Sequence, residues 1–210
     1  MTSIDTVTLE VADASAAHAF YAAAFGPDIP VRVSASEAPT SGFRGFTLSL
    51  IVSQPANVDA LVDAAVDAGA TTLKPAAKSL WGYGGVVQAP DGTVWQIASS
   101  SKKNTGPATR HVDEVVLLLG VENVSETKRF YVDRGLTVAK SFGSKYVEFD
   151  AASSPVKLGL YKRRGLAKVA GVAPEGSGSH RLVVVSDLPP FTDPDGFVWQ
   201  AVNQPAPDRL

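Results

Sequence analysis

The chain has 210 residues, 45% of them hydrophobic and 19% charged, which is ordinary globular composition with enough apolar material for a sizeable core. A net charge of -2 leaves no electrostatic footprint for nucleic acid or an anionic membrane. With no cysteine there is no disulfide, no thiolate metal site and no cysteine nucleophile.

The opening "MTSIDTVTLEVAD" alternates like a strand and has neither a basic start nor a long apolar run, so no signal peptide is expected. No apolar stretch reaches 18 residues. A cytoplasmic protein with no membrane or nucleic-acid partner is the expectation. In the first strand Val7, Leu9 and Val11 point one way and Thr6, Thr8 and Glu10 the other. A helix follows from the N-cap type Asp13 to the C′ type Gly26, with Ala17, Phe20, Tyr21, Ala24 and Phe25 as its apolar stripe. "GFTLSLIVS" (45–53) reads as a strand, and "NVDALVDAAVDAGA" (57–70) as a helix with Val58, Leu61, Val62, Ala65 and Val66 on one face. "YGGVVQA" (83–89) and "VWQIA" (94–98) are further strands, joined by the turn Pro90-Asp91-Gly92.

The polar stretch "SSSKKNTGPATR" (99–110) reads as a linker. Beyond it the pattern repeats: "VVLLLGVENVSETKRFYVDRG" (115–135) can be laid on "VTLEVADASAAHAFYAAAFG" (7–26). Phe20-Tyr21 and Phe130-Tyr131 correspond, and so do "APDGTVWQ" (89–96) and "DPDGFVWQ" (193–200). The second helix starts at Asn123 or Ser125, with Glu126 in capping-box spacing from Asn123, and stops near Gly135. "SKYVEFD" (144–150), "VKLGLYK" (156–162) and "HRLVVVS" (180–186) are strand-like. The basic run "YKRRG" (161–165) reads either as an anion site or as a solvated strand end, and "GVAPEGSGSH" (171–180) as a flap rather than a phosphate loop. Trp95 and Trp199 are core residues, and the two Phe-Tyr pairs pack helix against sheet.

Two strand–helix units carrying Phe-Tyr and a terminal glycine, each closed by Pro-Asp-Gly-x-x-Trp-Gln, resemble the vicinal oxygen chelate superfamily of glyoxalase I, extradiol dioxygenases and fosfomycin and bleomycin resistance proteins. The resemblance implies an α+β fold, two βαβββ modules pairing into a curved mixed sheet around a cleft with helices on the outer face. The expected modules are residues 1–98 and 111–203, with 99–110 the linker and 204–210 a tail.

Metal-dependent members of that superfamily take ligands from the first and last strands of each module. The matching positions are Thr6, Gln96, Glu114 and Gln200. One carboxylate, two amides and a hydroxyl are a poor set for a divalent cation, so the expectation is a metal-independent protein that binds a small molecule in the cleft. The alternatives are a lyase, isomerase or dioxygenase with an atypical ligand set around one Zn, Ni, Mn or Fe ion, which His111 could join in a shifted register, and a protein-interaction module. Neither His18, within the first helix, nor His180, at a strand start, supplies a ligand in this register.

Glu114 is the one candidate general base, set against an ordinary role as partner to a nearby Lys or Arg. Trp81 and Tyr83 are candidates for an aromatic wall over the cleft, and Tyr146 and Tyr161 for its lining. A monomer and a homodimer are both compatible with paired modules.

Overall fold

The computed structural model describes residues 2–151, 153–178 and 181–202. His180 and the expected tail lie outside the described residues. In chain order the elements are β1 (Ile4–Val11), α1 (Ala14–Phe25), β2 (Val31–Ala35), β3 (Ser41–Gly42), β4 (Phe46–Ile51), α2 (Pro55–Asp67), β5 (Thr71–Ser79), β6 (Gly82–Gln88) and β7 (Val94–Ser99). The second half continues with β8 (Glu114–Val121), α3 (Val124–Val132), β9 (Val138–Phe142), β10 (Tyr146–Phe149), β11 (Val156–Lys162), α4 (Arg163–Ala170), β12 (Gly176–Ser177), β13 (Leu182–Ser186), β14 (Phe191–Thr192) and β15 (Val198–Ala201).

The helix caps are where the sequence put them. Asp13 accepts from the Ala16 N–H, and Asn123 from those of Ser125 and Glu126. The alternation in the strands also holds. Val7, Leu9, Val11, Trp95, Ile97, Val115, Leu117, Leu119 and Trp199 all enter one core beneath α1, α2 and α3.

Two complete βαβββ units are adjacent in the chain: β4-α2-β5-β6-β7 and β8-α3-β9-β10-β11. Each has its first strand paired with its last, β4 with β7 and β8 with β11, both parallel. The units join edge to edge through antiparallel β4 and β8, from Phe46↔Leu119 to Ile51↔Glu114. The remaining strands form the flank of the same large mixed sheet. There β1 pairs with β2 on one edge and β13 on the other, and β13 leads on to β15 and β14. Strands from near both ends of the described residues therefore share one flank, and the middle of the chain forms the paired modules.

Each Phe-Tyr helix is tied to a Pro-Asp-Gly turn. Tyr21 donates to Asp91 at 2.5 Å and Tyr131 to Asp193 at 2.5 Å. The second tie is two residues out of register with the first: Asp91 lies inside its Pro-Asp-Gly, whereas Asp193 precedes it. Trp199 Nε1 donates to the Tyr131 hydroxyl at 3.3 Å. Burial beside these carboxylates pushes both tyrosines well above the ordinary phenol range, and burial raises Asp193 as well. The linker is pinned by two buried side chains, Gln54 and Asn57, the latter accepting from the Thr109 N–H at 2.9 Å. Gln54 accepts from the N–H groups of Thr105 and Gly106 and from the Thr105 hydroxyl, and donates to the carbonyls of Gly106 and Pro107.

Candidate functional site

The face of the β4/β8 sheet turned away from α2 and α3 is the cup face. Strand pairing sets Val86, Gln96, Ser49, Val116 and Lys157 side by side across β6, β7, β4, β8 and β11. The next row toward one end is Gly84, Ala98, Ile51 and Glu114, and toward the other Gln88, Val94, Thr47, Leu118 and Gly159.

The expected cleft is partly filled by α4, a helix that the sequence reading did not contain. The segment "RRGLAKVA" buries Leu166, Ala167 and Ala170 on the cup face, the first two with Phe43 and Leu118, the third with Val86 and Val94. Thus "YKRRG" runs from the end of β11 into α4, with Lys162, Arg164 and Gly165 exposed. Lys162 is the N-cap residue, and Arg163 donates to the carbonyls of Phe43, Pro174 and Gly176. The expected flap is partly ordered into β12, which pairs with β3.

The four positions matched to family ligands do not meet. Thr6 and Gln200 belong to the flank, in one row with Val185 between them, and Gln96 and Glu114 belong to the paired modules. Thr6 is buried, and its hydroxyl donates to the Pro30 carbonyl at 2.9 Å. Gln96 donates to Thr47 Oγ1 at 2.8 Å, which leaves its own amide oxygen available as an acceptor. Glu114 is held by Lys157 at 2.5 Å, the ordinary carboxylate partnership weighed against a catalytic role. His111 is 77% exposed and lies 3.6 Å from Asp113, and it does not replace any of the four.

Neither pair fits a divalent cation. One offers a hydroxyl already engaged and an amide; the other offers an amide and a carboxylate already neutralised by an ammonium. Among the described residues no group of three His, Cys, Asp or Glu could hold a metal ion.

The aromatic candidates separate as well. Trp81 sits at the tip of the β5–β6 hairpin, 85% exposed, and is no packed wall. Tyr83 donates to Asp59 of α2 at 2.8 Å, so its ring stands on the helix side rather than over the cup. Tyr146 and Tyr161 do line the cup face, with ring centroids 4.8 Å apart, against the cluster that receives α4. Burial raises both above the ordinary phenol range.

Two hollows flank this arrangement. One, of about 360 Å³, opens beside α4 on the cup face and is lined by Gln96, Ala98, Gly84, Val86, Trp81 and, from α4, Val169. Tyr83 also borders it. Glycine at 84 keeps its floor flat, since a Cβ there would come 2.9 Å from the Ile97 carbonyl. The other, of about 420 Å³, lies where the halves meet and is lined by Phe25, Asp28, Arg110, His111, Asp113 and Glu114. Gln96 and Glu114 therefore open onto different hollows.

No protein-family model matches the chain, and no curated protein matches it in sequence. Solved structures do match in fold. Glyoxalase I from Zea mays superposes with a TM-score of 0.62 at 13% identity, covering 96% of this chain and 92% of that one. A putative dioxygenase from Bacillus subtilis gives 0.59 at 12% identity, covering 95% and 84%. The chain thus has the fold of glyoxalase I.

Proposed function

We propose that the protein is a metal-independent, glyoxalase-like small-molecule binder. Its site is the hollow on the cup face between the β5–β6 hairpin and α4. The observation that carries this reading is Gln96. It lines a hollow of small-molecule size, with its amide nitrogen engaged by Thr47 and its oxygen left to accept from a ligand. Small and apolar side chains at Ala98, Val86 and Val169 supply contact area, and Trp81 supplies an aromatic rim.

The donor chemistry supports binding without a metal. The two matched pairs lie apart, and the one carboxylate is already paired with Lys157.

The test is a thermal-shift screen of small organic molecules, followed by titration of any hit. Gln96→Ala removes one neutral hydrogen bond and is expected to weaken binding about 2- to 12-fold. Trp81→Ala is expected to weaken binding too, and Glu114→Gln to leave it unchanged. Binding that depends on Glu114 and ignores Gln96 would move the site to the other hollow and overturn this reading.

A further inference from the structure

We infer that α4 is a displaceable cover, and that beneath it lies a second, latent site for amphipathic anions: molecules with an apolar body and one acidic head. The bed of that site is the patch that α4 now covers. Phe43, Val86, Val94 and Leu118 are buried there, with Val116 and Tyr161 at its edges. This is a second apolar surface, on the opposite side of the sheet from the main core.

Two features make the cover removable, and a third is what holds it closed. The helix has only eight residues, too short to persist without tertiary support. It is seated by one leucine and two alanines, a small apolar anchor for its length, while Arg164, Lys168 and Val169 face solvent. It is latched from outside by main-chain acceptors. Lys74 of β5 donates to the carbonyls of Lys168 and Val169, at 2.7 and 2.6 Å, and Arg163 grips the carbonyls of Phe43, Pro174 and Gly176. The C-cap Gly171 has φ of +79°, and the glycine lets the chain reverse there.

The latch also sets the ligand class. When α4 lifts, Lys74 loses both carbonyl acceptors and stands as a free ammonium at the rim of an apolar bed. An acidic head restores its partner, and an apolar body replaces Leu166, Ala167 and Ala170. The latent site adjoins the open hollow through Val86 and Val169 but uses neither Gln96 nor Trp81 as an anchor.

Because the chain has no cysteine, a single introduced thiol reports on the cover without background. Leu166→Cys places that thiol under α4, and Leu117→Cys, equally buried in the main core, reports whole-molecule unfolding. The probe ligand is anilinonaphthalene sulfonate, an apolar aromatic body with one acidic group. Under native conditions the thiol of Leu166→Cys is expected to react with a maleimide at least tenfold faster than that of Leu117→Cys. The rate in Leu166→Cys is expected to rise saturably with the probe, and a further Lys74→Ala change to raise the basal rate while weakening saturation.

Equal rates for the two thiols, or a rate in Leu166→Cys that ignores saturating probe, would overturn the inference. If Leu166→Cys fails to fold by circular dichroism, Ala170→Cys, on the same buried face of α4, gives the same readout. A ligand confined to the open hollow would lose affinity in Gln96→Ala and leave the rate in Leu166→Cys at its basal value. The two proposals therefore fail separately.

Discussion

Replacing Tyr131 by phenylalanine removes one oxygen from a fully buried ring and breaks two hydrogen bonds at once. Tyr131 donates to Asp193, itself 5% exposed, and accepts from Trp199 Nε1. Loss of a donor to a buried carboxylate costs about 1.5–3 kcal/mol, and stranding the indole N–H adds about 1 kcal/mol. Unfolding entropy near 2.1 cal/mol/K per residue then converts a total of about 2.5–4 kcal/mol into a fall in Tm of roughly 6–9 °C.

Tyr21→Phe is the internal control. Both carboxylates keep main-chain donors, Thr93 N–H at Asp91 and those of Asp195 and Phe197 at Asp193, but Asp91 also has the Arg44 guanidinium at 3.7 Å and no indole N–H is stranded, so the cost there is about 1–1.5 kcal/mol. The deficit at Tyr131 also depends on pH. Burial raises Asp193, so the stability its proton confers is present at the lowest pH and is lost as pH rises through the raised value. Without the tyrosine hydroxyl that value rises further, so Tyr131→Phe is expected to be less damaging near pH 4 than at pH 7. At the alkaline end, Tyr131 is held neutral in the fold while the unfolded phenol ionises above pH ~10. Wild-type stability therefore falls above pH ~10, and less steeply in the variant. Urea melts at three pH values measure all of this. A cost below about 1 kcal/mol, or one no larger than that of Tyr21→Phe, would refute the reasoning.

Glu114→Gln is expected to change stability by less than about 1 kcal/mol in a urea melt, because the Glu114 and Lys157 side chains are 41% and 34% exposed and the pair is screened. Gly82→Ala is expected to cost more than about 2 kcal/mol or to prevent folding, judged by circular dichroism. Its φ is +142°, and a Cβ would fall 2.0 Å from the Ser99 carbonyl oxygen. Gln54→Ala is expected to free the segment around Thr105–Pro107, seen as faster amide exchange at Thr105 and Gly106, whose N–H groups lose their acceptor.

What was legible in the sequence was whatever local periodicity and capping encode. Asp13 and Asn123 announced two helices, and the alternation around Trp95 and Trp199 assigned their strands to the core side. The duplicated Phe-Tyr and Pro-Asp-Gly pieces pointed to the glyoxalase fold. Pairing between distant strands was not legible. Nothing local in Thr6 or Gln200 says that β1 closes on β13, so four positions expected around one cleft fall into two pairs.

Tyr83 was misplaced because "YGG" does not show which side of a glycine-rich strand faces α2; its bond to Asp59 decides that. The cover α4 was invisible for a physical reason. It is short, carries Gly165 and three cations, and has only three buried positions. Such a segment reads as solvated chain until tertiary contacts with Leu118, Val86 and Val94 select the helix. In hindsight the spacing of Leu166, Ala167 and Ala170, at i, i+1 and i+4, was the available signal.

The central claim is that this glyoxalase fold binds small molecules without a metal. The most direct measurement is elemental analysis of tag-free protein, combined with thermal melts in EDTA and in added Ni²⁺, Zn²⁺, Mn²⁺ and Fe²⁺. The account expects no stoichiometric metal and a Tm unmoved by chelator or cation. One metal per chain, or a Tm that rises with one cation and falls with EDTA, would contradict it.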